Sequence, residues 1–425
     1  MDRRFAFCSR FLNVVFLIIT LSLAVISPAY AASDIVFQLN NQGLTLLSSN
    51  RFNLGPLTCF LSPWLYTVYT EQEQTSYGLK EGGVELGWGN FQLTAGRKLT
   101  TFGPGRYNFP LLGPLGGGLT AQGLDKIAYS FQTKRLNYEK LYAWVPTNDK
   151  SRLLLGQRAT YDLGPLTLGF GETALAKVGL PYFYYLPLPL IPIGVYQLIA
   201  EHDQLPEAKG GLNILAEIDL TLRIGSNFKV YGGYLIDERP RPYLPDGLSP
   251  GDWQNTAPDS KPWKVGYQAG GEWNRPFGIS GVKFYTEYTR INQFTYTASD
   301  PFFTYSYKEK PLGGPLGPDS DQLNLELATT GEDTWEFALA YSRRRRGEGR
   351  LGDQWTDQPG QTEVFLTGTV ETTDKIAFTG IKRLGFIGSD QVALTISCAR
   401  ITNENNQSGV ISIRPEVAVI GKVSW

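Results

Sequence analysis

The sequence predicts an all-β fold, a transmembrane antiparallel β-barrel of about 16–18 strands. Three observations carry that expectation. An export segment opens the chain, apolar–polar alternation recurs along most of the remainder, and the last alternating stretch ends on Trp425. Mean hydropathy is only −0.19. That value fits a wall whose apolar outside and polar inside alternate residue by residue, so that hydropathy averages out. After Ala31 no apolar run reaches the ~18 residues that a membrane-spanning helix needs.

The export segment has a basic start at Arg3, Arg4 and Arg10, an apolar stretch from Phe11 to Ile26, and the small-x-small site Ala29-Tyr30-Ala31. Cys8 precedes the apolar stretch, so it is not a lipoprotein cysteine. Cleavage after Ala31 is expected to leave 425 − 31 = 394 residues, 32–425, as one barrel domain in the cell outer membrane. The chain holds 47 Gly, 23 Tyr, 23 Phe and 9 Trp against 1 Met and 1 His, a β-rich and aromatic-rich composition. A net charge of −1 excludes the basic field that a nucleic-acid partner requires.

Strands follow from period-2 alternation broken by turn residues. Ile35, Phe37 and Leu39 run to a turn at Asn40–Gly43. Leu-Gly-Pro-Leu-Thr occurs at 54–58 and again at 163–167, each copy feeding a strand. Val84, Leu86 and Trp88 turn at Gly89-Asn90 and return through Phe91, Leu93 and Ala95. Ile127, Tyr129 and Phe131 turn at Lys134-Arg135 toward Tyr138, Tyr142 and Trp144. Four further strands set Val230 against Tyr231, Phe284 against Glu287, Phe337 against Glu336, and Ile396 against Thr395. Val417, Val419, Gly421, Val423 and Trp425 close the chain. An aromatic end on such a strand is the insertion signal read by barrel-insertion machinery. Cys59 and Cys398 fall in strands several positions apart. At ~4.8 Å per strand they exceed the ~7 Å reach of a disulfide, and free buried thiols are expected.

Between the strands ending near Arg97 and starting near Ile127 lies a Gly/Pro segment, Gly103 to Gly123. Its density of glycine and proline forbids a helix, and proline denies a sheet its donor. Loops this long are functional or disordered, and in a wide barrel this one is expected to fold into the lumen. Arg97, Arg106 and Tyr107 are candidate ligand-binding residues, with Gly103, Pro104 and Gly105 as the structural loop. Strict alternation aims Arg97 at lipid beside Phe91, Leu93 and Ala95; either the strand has already left the membrane there or a bulge near Gly96 turns Arg97 inward, and the bulge is the expectation. Glu172 and the pair Asp237-Glu238 end strands, where carboxylates bind sugar hydroxyls or a cation, or pair with lumen arginines. Tyr184 lies in the aromatic, proline-punctuated Pro181–Ile193, a surface for stacking sugars or a membrane-interface anchor. Arg343 begins a run of four arginines suited to an acidic polysaccharide or lipid phosphate. As a charge run it also reads as a solvated loop, and its phase, sending side chains both ways, fits a loop. His202, the only histidine, sits in a polar Glu-His-Asp turn. Any Ser–His mechanism would have to use it. No P-loop, dinucleotide or Cys/His metal spacing is present, so neither enzyme activity, cofactor nor metal is expected.

Gly96-Arg97, Phe102-Gly-Pro-Gly105, the Gly/Pro loop into Ile127–Phe131, Gly171-Glu172, Glu201 and the Tyr231–Glu238 strand together resemble the capsule-assembly Wzi family. Phe294-Thr-Tyr-Thr297 and Pro311–Ser320 continue the match in the same order, over about residues 84–346. The resemblance implies an ~18-stranded outer-membrane barrel whose outer surface binds exported polysaccharide, with no enzyme activity. It implies site or scaffold roles for Arg97, Gly103, Pro104, Gly105, Glu172, Asp237, Glu238 and Asp319. Two departures stand out: little room after Ala31 for a periplasmic helical bundle, and Glu238 where the family more often has Asp. The expected function is binding, retention or assembly of surface polysaccharide by a monomer in outer-membrane lipid. A diffusion channel with a loop constriction and a purely structural envelope barrel are the alternatives.

Overall fold

A computed structural model describes residues 31–68, 74–115, 118–147, 151–177, 212–238, 262–298, 300–329, 335–355, 365–385 and 390–424. Its strands are β1 (31–40), β2 (43–54), β3 (57–68), β4 (74–88), β5 (91–98), β6 (124–132), β7 (136–146), β8 (151–162), β9 (166–177) and β10 (212–224). They continue as β11 (228–238), β12 (264–274), β13 (282–291), the two-residue β14 (306–307) and β15 (310–311), β16 (320–329), β17 (335–346), β18 (371–383), β19 (391–402) and β20 (411–424). β14 and β15 form a separate small hairpin, and the other eighteen form one antiparallel sheet. Pairing of Asp34–Asn40 with Ala418–Ser424 closes it into a barrel. The strand number thus meets the upper end of the expectation. The export segment, Tyr184, the Pro181–Ile193 stretch, His202 and Trp425 lie outside the described residues.

The two ends of the barrel differ. Turns such as Gly55-Pro56 and Gly89-Asn90 join strands at the end that also holds the start of β1 and the end of β20. Gly89 supplies the positive φ of 58° that a tight hairpin turn requires. At the opposite end sit the long connections, among them 99–123, 292–319 and 347–370. We refer to these as the short-turn and long-loop ends.

Register fixes which side chains face out. Across β16 to β20, successive outward rows read Leu325, Tyr341, Ile376, Cys398 and Pro415, then Leu327, Leu339, Phe378, Ile396 and Val417. Leu339, Ile376, Ile396 and Val417 are each at least half exposed, as a lipid-facing wall must be. Inside, a buried core joins Leu141, Ala143, Leu154, Leu175, Leu215, Leu235 and Ile291 of the wall to Phe102, Leu111, Leu112, Tyr296, Tyr305 and Leu312 of two loops.

Three expectations are corrected. Cys59 and Cys398 are unbridged, but they are half-buried and exposed rather than buried, because both take the outward phase, on β3 and β19. Arg343–Arg346 are the last four residues of strand β17 and not a loop. Pairing with β16 and β18 outweighs the repulsion of four neighbouring charges because acidic residues stand opposite. No bulge occurs at Gly96. Arg97 stays in step with Gly82 and Asp125 on both sides, and so keeps the outward phase of Phe91 and Leu93. Bulges fall instead at Ser62/Pro63, where proline lacks the ladder donor, and between Ile236 and Glu238.

Candidate functional site: the loop layers inside the barrel

The Gly/Pro loop enters the lumen, as the sequence predicts, and is held by the far wall. Alternation along β13 points Lys283, Tyr285, Glu287 and Thr289 inward, and the Glu287 carboxylate becomes the anchor. Backbone N–H groups of Arg106, Tyr107 and Asn108 donate to it at 2.7, 3.1 and 2.9 Å. The Tyr231 hydroxyl donates to the same carboxylate at 2.8 Å. Gln268 Nε2 donates to the Asn108 carbonyl at 2.7 Å. A fully buried carboxylate is tolerable only with this many donors.

Arg106 and Tyr107 come together on a second carboxylate. Arg106 Nη2 and the Tyr107 hydroxyl donate to the two oxygens of Glu326 at 2.7 and 2.8 Å. The Arg106 guanidinium also lies 3.7 Å from the Tyr285 ring centre, within cation–π range. Burial, then the hydrogen bond to Glu326, raises the Tyr107 phenol above its usual range, so it stays a donor. Gly103 and Gly105 are required by close approach. Gly103 has φ 123°, and a Cβ there would lie 2.9 Å from Glu217 Oε1. At Gly105 a Cβ would lie 2.1 Å from the Asn108 carbonyl oxygen and 2.5 Å from Gln268 Nε2. Pro104, between them, has no N–H to leave unsatisfied.

The loop 292–319 lies over this first layer on the long-loop side. Tyr296 and Tyr305 hydroxyls donate to the carbonyls of Pro110 and Leu111 at 2.7 and 2.9 Å, and Gly113 N–H donates to Leu312 O at 2.9 Å. Arg152, near the long-loop end of β8, caps the Phe302 and Thr304 carbonyls at 3.0 and 2.8 Å and also that of Ser306. Lys264 donates to Thr297 O at 2.9 Å. Asp237, re-aimed by the β11 bulge, accepts from Tyr296 N–H at 2.7 Å. Asp319, fully buried at φ 50°, accepts from Gly349 N–H at 2.9 Å and from the Thr367 hydroxyl, tying in the next loop.

These layers separate two surfaces. Toward the short-turn end lies a charged chamber with Arg158–Asp219 at 2.7 Å and Lys126–Glu139 at 3.0 Å. It includes a cavity of about 240 Å³ bounded by Gln92, Lys98, Lys126 and Glu139. Arg106 opens on this side, level with Tyr285 and Glu326 in the short-turn halves of β13 and β16. At the long-loop end, buried Lys264 holds its Nζ 4.2 Å from the half-buried Trp355 ring centre, and exposed Lys177 holds its Nζ 6.0 Å from that of Phe302. Lys308, Glu309 and Lys310 are exposed there at the β14–β15 turn.

The remaining candidates do not join this site. Arg97 grips Asp125 on the outer wall, Nε and Nη2 at 2.7 and 2.5 Å. Glu172 is buried in the outward row of Lys140 and Gln157, and accepts from Gln157 at 2.5 Å. It is on the opposite side of the sheet from the loop layers. Glu238 pairs in register with Lys264 at the end of β11. Arg343 faces outward beside Asp374, 3.4 Å away. Glu287, Glu326, Tyr296 and Tyr305 were not singled out as site residues. Glu287 already stood on the polar face of its strand, but the partner 179 residues earlier in the chain leaves no local trace.

No family model matches the chain, and no curated protein matches it. Solved structures do. Wzi, an outer-membrane protein involved in group 1 capsule assembly in Escherichia coli and a carbohydrate-binding β-barrel, superposes with TM-score 0.63 at 12% identity, covering 97% of this chain and 88% of its own. Pseudomonas aeruginosa OprD superposes with TM-score 0.50 at 10% identity, covering 94% and 96%. OccD3 (OpdP) of the same organism gives 0.50 at 10%, covering 93% and 90%. At these identities the likeness is one of fold: a closed 18-stranded barrel similar to outer-membrane barrels of both kinds.

Proposed function

We propose that this chain is a non-enzymatic outer-membrane barrel that binds and retains surface polysaccharide on its long-loop face. The observation that carries this reading is the hydrogen-bonded double layer of loops, which floors the long-loop end with fixed side chains. In outer-membrane barrels the short turns are periplasmic and the longer loops extracellular, so the floor faces the cell exterior. Half-buried rings at Trp355 and Phe302 offer stacking faces for sugars, and exposed Lys177 beside Phe302 offers a cation for their acidic substituents. Arg106 and Tyr107 act in this reading as fasteners of the floor, not as ligand contacts. Polysaccharide-coated beads should retain the wild-type protein, and Trp355→Ala with Phe302→Ala should reduce retention roughly tenfold, about 1.4 kcal/mol, if each ring contributes ~0.5–1 kcal/mol. Undiminished retention in the double variant overturns the assignment of the face.

A second reading, a diffusion channel, is favoured by one observation. The wall members of the buried core come from β6 to β13, whereas inward residues of β18 to β20, including Lys375 and Glu416, keep 41% and 33% of their side-chain surface. That polar arc would line a pore past the layers. A steady open-pore current across a planar bilayer, together with blank bead retention, would select it.

A further inference from the structure

On the outer wall, register places two Arg–Asp–Arg rows at the long-loop rim. Arg290, Asp321 and Arg345 are direct neighbours across β13, β16 and β17. One row nearer the middle of the wall, Arg343, Asp374 and Arg400 are neighbours across β17, β18 and β19. Four cations against two anions leave 4 − 2 = +2 on this patch. Arg345 grips Asp321 through Nε and Nη2 at 3.0 and 2.5 Å, while Arg343 approaches Asp374 at 3.4 Å. Arg290 stacks 3.6 Å from the Phe365 ring centre. Arg400 is exposed, and its side chain makes no hydrogen bond or ion pair among the described residues.

Asp321 and Asp374 therefore orient Arg345 and Arg343 without exhausting them, while Arg290 is held by Asn292 Oδ1 and the Phe365 ring. Each guanidinium carries five N–H donors, and the side chains of Arg343 and Arg345 remain 53% and 46% exposed. Immediately below, Tyr341 and Tyr288 send their hydroxyls up to Asp374 and Asp321 at 2.6 and 3.0 Å. Beneath them the wall is apolar through Ile376, Leu339, Phe378 and Ile396. A tyrosine tier over an apolar wall marks the water–lipid boundary. The arginines thus stand at the height of headgroups in the leaflet on the long-loop side.

We propose that this patch binds the phosphate groups of an acylated, phosphorylated glycolipid of that leaflet, with its acyl chains along the apolar rows beneath. Arginine forks match phosphate oxygens bidentately. A free anion or an acidic saccharide would use the same guanidinium groups but has nothing to lay on Ile376 and Phe378. The proposal concerns the outer wall and is independent of the polysaccharide reading of the long-loop face.

Native mass spectrometry of the full chain in detergent tests it with four probes: a diphosphorylated acyl-glucosamine disaccharide, the same lipid without phosphates, inorganic phosphate, and an acidic oligosaccharide. Wild type should retain the diphosphorylated lipid. Arg343→Gln/Arg345→Gln/Arg400→Gln should lose on the order of 100-fold, at ~1 kcal/mol per arginine near a lipid surface. Arg400→Gln alone, which breaks no described bond, should lose about fivefold on the same basis, and it guards against misfolding of the triple variant. Equal retention of the dephosphorylated lipid, an unchanged affinity of Arg400→Gln, or displacement by inorganic phosphate or an acidic oligosaccharide would overturn the proposal.

Discussion

Glu287 is a single side chain on which the attachment of a whole loop converges. Replacing it with alanine strips a partner from three backbone N–H groups and from the Tyr231 hydroxyl. At roughly 1–3 kcal/mol per orphaned buried donor, the loop's attachment loses on the order of 4–12 kcal/mol, less where water enters. The sheet is untouched, so Glu287→Ala should keep a heat-modifiable, folded barrel while trypsin cuts after Arg106 appear; a loop as protease-resistant as wild type refutes the anchor. Gly105→Ala should act in the same direction without removing any donor, because its methyl would drive out the Asn108 carbonyl and Gln268 together. At this scale the sequence was partly legible. Gly103 and Gly105 announce a tight approach through composition, and Arg106 and Tyr107 stand out on such a loop. Arg97 misleads because an outward arginine reads as costly against lipid, which favours a bulge over a plain outward phase. Its partner Asp125, directly opposite on β6, removes the need for a bulge.

At the scale of the element, strand phase was the most legible property, since a lipid face and a wet face impose opposite chemistry on alternate residues. β17 shows where that signal was overridden. Four arginines in sequence read as a solvated run, yet the ladder splits them. Arg343 and Arg345 go out to Asp374 and Asp321, whereas Arg344 turns in and donates to the Leu316 carbonyl at 3.0 Å. The acidic residues that permit this belong to other strands, so no window of β17 alone reveals them. Phase also makes a prediction for β19. Cys398 shares the outward face of Ile396, in the row below the tyrosine-contacted Asp374. In bilayers it should react with a lipid-soluble maleimide and resist a membrane-impermeant one, and non-reducing electrophoresis should show no disulfide to Cys59. Ready labelling by the impermeant reagent would move the membrane boundary.

For the whole molecule, the loop layers and the wall are separable structures. The sheet closes through β1 and β20 without either loop, so replacing residues 104–113 with a short Gly/Ser linker should leave the barrel heat-modifiable. Conductance across a planar bilayer should rise in that variant; no change would mean the layers do not limit passage. The number of strands was nearly readable from length, and inward folding of a long Gly/Pro loop from barrel width. The second layer was not, because its contacts with the first join positions such as Pro110 and Tyr296, 186 residues apart. That separation carries a further consequence, for the order of assembly. The strands that hold residues 106–108, β11 to β13, are made long after the loop itself. The sheet is sealed only when the last strand meets the first. The loop cannot meet the carboxylate that holds it until β11 to β13 exist, so its docking on Glu287 is a late, long-range step of folding and not a local one.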